Sequence, residues 1–222
     1  MNQVLWTEVD EYYNGLLVGS DDILEHALKT SDVAGLPQIA VSEAQGKFLY
    51  LMALIQKAER ILEIGTLAGY STIWMAKALP QNGKLVTLEY EKNHADVAYQ
   101  NIEYAGLQNI VDIRVGEALA ILPDIQKENN EPFDLIFIDA DKPNNPNYFE
   151  WSLKLSAPGT IIIADNVVRE GKIIESESDD EKIQGIRRFN QMVANEPRVN
   201  ATVIQTLGNK GYDGFMLIRV MH

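Results

Sequence analysis

The sequence contains no cysteine among its 222 residues, which removes disulfides, thiolate zinc sites and cysteine nucleophiles from consideration. Basic residues are scarce: 19 Lys and Arg stand against 32 Asp and Glu, a net charge of −13, so neither a nucleic-acid backbone nor an anionic membrane is expected as the main partner. No run of 18 apolar residues occurs, and the opening MNQVLWTEVDEYYNG lacks a basic segment followed by an apolar core, so a cytoplasmic protein is expected. Histidine is rare. His26, His94 and His222 lie far apart without HExxH spacing and are read as surface residues. Also missing are internal repeats, low-complexity tracts and a GxGxxG dinucleotide fingerprint.

What stands in place of that fingerprint organises the rest. Arg60 to Ser71, RILEIGTLAGYS, reads as strand, glycine turn, helix. Ile61, Leu62 and Ile64 suit a strand buried on both faces, and Ser71 followed by Ile73, Trp74 and Met75 suits a helix start. The glycine spacing is GxxxG, Gly65 and Gly69, with Leu67 where a dinucleotide turn would have its second glycine. Glu63 is read as part of the turn, Glu89 as the close of the next strand, and no Lys or Arg falls between Arg60 and Lys77 to meet a diphosphate. An acidic turn of this kind favours a cationic ligand such as S-adenosylmethionine (SAM) over NAD. Glu89 suits either, because a carboxylate at that strand end accepts ribose hydroxyls.

The length fits one doubly wound domain spanning residues 1–222, with residues 1–40 as a helical lead-in carrying Ile23, Leu24, Ala27 and Leu28. That lead-in caps the sheet, covers the cofactor or joins a partner subunit. Ser42 and Gln45 have capping-box spacing ahead of a helix to about Lys57. Strands are expected at 84–88, 111–115, 133–138 and 160–164, alternating with helices, and a terminal antiparallel hairpin at 201–206 and 215–220. Gly116-Glu117-Ala118 falls beside Glu89, either lining an adenine or forming an ordinary turn. Residues 173–181 form an acidic solvated loop or a gate, and Ser178 with Glu181 has capping-box spacing for the helix that follows.

Two strands end in carboxylates, Asp139 and Asp165. With the amide of Asn166 they offer three hard oxygen ligands suited to Mg²⁺, Mn²⁺ or Ca²⁺, although an Asp after a strand also serves as a helix cap. Lys142, three residues after Asp139, is either a surface lysine or a general base beside such a metal.

In this order and spacing, EIGTLAGYS, the Glu89 strand end, FIDADK and IIADNVVREGK resemble the metal-dependent class I SAM O-methyltransferases, the group containing catechol and caffeoyl-CoA O-methyltransferases. The resemblance implies a Rossmann-like, doubly wound α/β fold with helices on both faces of a seven-stranded sheet, mostly parallel with an antiparallel C-terminal strand. It implies that Val41, Glu63, Gly65, Thr66, Ser71, Glu89, Ala118 and Asp139 contact SAM. It also makes Asp139, Asp165 and Asn166 ligands of a divalent metal such as Mg²⁺, and Lys142 the catalytic base. The implied reaction is methyl transfer to a small catechol-like acceptor. Acceptor recognition falls to residues 1–40, 143–150 and 170–181. A homodimer is expected, with apolar Leu5, Trp6, Leu16, Leu17 and Val18 available for a partner. A NAD-dependent reductase and a non-catalytic SAM-binding protein are the alternatives.

Overall fold

A computed structural model describes residues 2–128 and 131–222. Its strands are β1 Arg60–Ile64, β2 Lys84–Glu89, β3 Val111–Val115, β4 Phe133–Ile138, β5 Ser156–Ala164, β6 Val199–Gly208 and β7 Gly211–Val220. Its helices are α1 Gln3–Tyr13, α2 Asp22–Val33, α3 Glu43–Gln56, α4 Tyr70–Ala76, α5 Lys92–Tyr104, α6 Ala118–Glu128, α7 Asn145–Lys154 and α8 Glu181–Asn195. The strands form one sheet in the order β3-β2-β1-β4-β5-β7-β6. The first five are parallel, and β7 runs against both of its neighbours.

The pleat sorts side chains to two cores. On β1, Ile61 joins Leu24, Leu49, Ile73 and Ala98 on the side of α2 to α5. Leu62 and Ile64 join Leu122, Phe149 and Phe189 on the side of α6 to α8. Burial on both faces explains why the central strands are nearly continuous apolar runs, with each fully buried Ile, Leu or Phe contributing about 1.5–3 kcal/mol. The chain leaves β1 toward β2 and β3, then returns to lay β4 on the other side of β1. Loops after β1 and β4 therefore diverge at a topological switch point, where a crevice opens.

Several local expectations shift. Ser42 does cap α3, its Oγ accepting from the Gln45 amide at 3.2 Å. The cap of α8 is Asp180 rather than Ser178, its carboxylate accepting from the Lys182 amide at 2.8 Å. Asp is as good an acceptor and sits one residue before the helix, so it wins over the more distant Ser. The terminal hairpin is longer than its apolar stretches, because Leu207-Gly208 and Gly211-Tyr212 pair across a tight turn. Residues 173–181 are tied to α8: the Gln184 amide donates to the carbonyls of Ser176 and Ser178, and Arg187 donates to that of Ile173. No helix among the described residues is long and apolar enough to cross a membrane.

Candidate functional site

A cavity of about 780 Å³ opens over the C-terminal ends of β1, β2 and β4. Its floor is the turn between β1 and α4. Gly65, at φ 107°, lies so close to β4 that a Cβ there would run into the Asp139 carbonyl. Leu67 (φ 50°) and Gly69 (φ 84°) complete a turn whose amides face Glu89 rather than solvent. Glu89 Oε2 accepts from the amides of Thr66 at 3.2 Å and Leu67 at 2.7 Å, and Oε1 accepts from that of Glu91 at 2.9 Å. His94 Nδ1 lies 3.4 Å from the same carboxylate and lines the cavity, so it is part of the site and not a plain surface residue. His26, by contrast, stacks on Tyr104.

Glu63 is placed differently from its reading as part of the turn. It belongs to β1, is fully buried, and does not line the cavity. Pleat alternation sends its side chain to the α4 side, where it accepts from Ser71 at 2.6 Å, Thr72 at 2.5 Å and Thr87 at 2.7 Å. Thr87 in turn meets the hydroxyl of Thr66 at 2.5 Å. Burial pushes the Glu63 carboxyl up to about 7, against the pull of these three donors. Its structural work is to lock the glycine turn to the first turn of α4.

The other half of the cavity is built from the ends of β4 and β5. Lys142, in a short helical turn after β4, is 7% exposed and reaches Asp139 Oδ1 at 2.9 Å. Asp165 is buried behind the cavity wall; Asn166 (φ 54°), which lines it, donates its amide to Asp165 Oδ1 at 2.8 Å. Asparagine tolerates this left-handed backbone better than most residues. Burial first, and the nearby Asp139 charge second, raise the Asp165 carboxyl above the usual range, while Lys142, the Asn166 amide and the side chain of Gln45 oppose the rise.

Gln45 was invisible as a site residue because its spacing from Ser42 marks a helix start equally well. Tyr148, which falls in the 143–150 stretch read as acceptor recognition, lines the cavity and is joined by a 2.5 Å hydrogen bond to Asp141; Asp141, Arg169 and Lys182 line it too and were not singled out by the sequence. Val41, Gly65, Thr66, Ser71, Glu89, Ala118, Asp139, Lys142 and Asn166 line it as well. Among the described residues no group of three or more His, Cys, Asp or Glu forms a metal cluster. The candidate set is two carboxylates and an amide. It suits a hard divalent ion, since the two carboxylates crowd each other with one lysine between them and a cation would relieve both burial and repulsion.

A family model described as O-methyltransferase matches residues 18–221. A catechol O-methyltransferase of Niastella koreensis is 52% identical over 217 residues, covering 98% of each chain. An O-methyltransferase from Bacillus cereus, solved with SAH, is 56% identical with a TM-score of 0.96, covering 98% of this chain and 99% of that one. An O-methyltransferase of tomaymycin synthesis from Streptomyces achromogenes, solved with SAM, is 47% identical with a TM-score of 0.97 and full coverage of both chains.

Proposed function

Because the chain belongs to the O-methyltransferase family, enzymes that take their methyl group from SAM, we propose that it methylates one hydroxyl of a small vicinal dihydroxy aromatic acceptor with a divalent metal bound at Asp139, Asp165 and Asn166. The observation that carries this reading is the pairing of Lys142 with Asp139 at 2.9 Å, beside a second, buried carboxylate. A family of methyltransferases removes the ground for a NAD-dependent reductase. The catechol name of a relative at 52% identity supports the acceptor class.

The residues divide the work. Val41, Gly65, Thr66, Ser71, Glu89 and Ala118 are the groups proposed to hold SAM, with Glu89 taking ribose hydroxyls. Glu63 is assigned to supporting the turn rather than to direct contact, since its carboxylate is already filled by three hydroxyl donors. A divalent ion such as Mg²⁺, Mn²⁺ or Ca²⁺, held by Asp139, Asp165 and Asn166, would supply positive charge that favours the ionised form of an acceptor hydroxyl. Lys142, 7% exposed at the cavity wall, would take the acceptor proton at Nζ as the neutral amine, having first given up the proton it shares with Asp139. The walls then hold the acceptor oxygen in line with the methyl group, so that proximity and charge neutralisation carry the rate.

The location proposed is cytoplasmic and the assembly a homodimer. Leu5, Leu16 and Leu17 are at least half exposed at the N-terminus, and Val203, Ile204 and Leu207 are exposed on the edge strand β6, leaving apolar surface for a second copy to cover. A monomeric mass by light scattering at micromolar concentration would remove the dimer. Incubation with methyl-labelled SAM, Mg²⁺ and a panel of catechols and monophenols tests the reaction. Label should pass to the vicinal diols and not to the monophenols; transfer to neither, with SAM bound, would leave a SAM-binding protein.

A further inference from the structure

Directly after Asn166 the backbone does something expensive. Arg169, Glu170 and Gly171 follow one another in the left-handed region, at φ 54°, 57° and 84°, and Asn166 is there as well. Only the last is a glycine, and consecutive left-handed residues are not a conformation that L side chains hold unaided. The turn is nonetheless placed where its geometry matters, because both Asn166 and Arg169 face the cavity.

One carboxylate on the opposite element holds it. Asp213, at the start of β7, accepts with a single oxygen, Oδ1, from the amides of Val168 at 3.0 Å, Arg169 at 2.9 Å and its own neighbour Gly214 at 2.9 Å. Its other oxygen lies 3.7 Å from the Arg169 guanidinium. The Val167 amide donates to the Gly214 carbonyl at 2.9 Å, so the segment is stitched to β7 from 167 to 169. Nothing of this kind ties Asp213 to the glycine turn on the far side of the cavity.

We infer that Asp213 is a positioning residue for the acceptor: by pinning residues 168 and 169 it fixes the left-handed turn and with it the Arg169 side chain and the Asn166 end of the cavity. This rests on the proposed reading for the meaning of the acceptor side, but the pin itself is geometric. Because a carboxylate oxygen accepting backbone amides is what the turn uses, an amide oxygen at the same place preserves it and a methyl group does not.

The test compares Asp213→Ala, Asp213→Asn and the wild type in three measurements: SAM affinity by calorimetry, KM and kcat for catechol at saturating Mg²⁺, and the rate of tryptic cleavage after Arg169 and Lys172 followed by mass spectrometry. Asp213→Ala should raise the catechol KM by about 10–100-fold, the usual scale for loss of a supporting hydrogen bond at a site, while SAM affinity stays within about twofold. Cleavage in the turn should quicken by about tenfold as the local opening becomes easier. Asp213→Asn should stay within about threefold of wild type throughout. Asp213→Ser, which keeps one short acceptor, should fall between them and carries the test where the alanine variant does not accumulate. The inference is overturned if Asp213→Ala leaves KM and cleavage unchanged, if SAM affinity falls in parallel with KM, or if Asp213→Asn is as damaged as Asp213→Ala. Should the wild type fail to methylate catechol, the reading of the acceptor falls, while the cleavage and SAM measurements still decide the pin.

Discussion

On the two sides of the cavity the carboxylates, those that line it and those buried behind it, are partnered differently. Over β1 and β2, Glu63 and Glu89 are each met by three hydrogen-bond donors from hydroxyls or backbone amides. Over β4 and β5, Asp139 and Asp165 face each other, with Lys142, one backbone amide and Gln45 to balance them. The first arrangement is complete without a ligand; the second sets a buried Asp165 near a partly exposed Asp139 with one lysine against two acids, a donor set with room for the proposed cation. The difference teaches that acidic residues at strand ends can be scaffold or chemistry, and that their donors tell which.

The comparison breaks most visibly at Lys142. Lys142→Met should lower kcat by about 10²–10⁴-fold, the range for a positioned general base, while SAM affinity measured by calorimetry stays near wild type. A loss under about tenfold would mean that the lysine only balances charge beside Asp139.

On the scaffold side the next largest effect is a pH dependence. Glu63 binds its proton more tightly folded than unfolded, with its carboxyl raised from 4.5 to about 7 by burial. Its contribution is therefore fully present below about 4.5 and fades as pH rises through about 7, an effect of about 3 kcal/mol. Glu63→Gln should remove that part of the slope between these limits in denaturant unfolding followed against pH. An identical slope in the variant would show that Glu63 does not titrate there.

Glu89→Ala should cost about 2 kcal/mol of SAM affinity, roughly thirtyfold, since it removes a charged acceptor and also frees the amides of Thr66 and Leu67. Glu89→Gln, which retains an oxygen for those amides, should lose less. Equal losses would assign the whole effect to charge.

The sequence made the scaffold half of this comparison easier to read than the chemical half. β1 and β4 fall where their apolar runs lie, since burial on both faces leaves few polar positions to blur the ends, while β3, an edge strand with Asp112 exposed, is marked by the alternation of Val111, Ile113 and Val115 with polar residues. The GxxxG turn was legible because Gly65 has no room for a side chain against β4. Side-chain direction was not. Only the pleat decides that Glu63 points to α4 and away from the cavity, and a one-residue misplacement of the strand end reverses it. Gln45, Arg169 and Asp213 escaped for a different reason: their partners are 120, 44 and 44 or more residues away or across the sheet, and no local spacing records such pairs. His94 escaped although its partner Glu89 is near in sequence, because the contact depends on how the start of α5 is set against the end of β2.

The contrast between the two halves is tested most directly by removing divalent ions and measuring both. SAM affinity by calorimetry and methyl transfer to catechol would be followed in wild-type protein before chelation, after exhaustive chelation and after return of Mg²⁺. The expected result is that SAM affinity changes by less than about twofold, because the β1–β2 half is complete by itself, while transfer is lost and then restored by Mg²⁺. Undiminished transfer after chelation, or loss of SAM affinity together with activity, would contradict it.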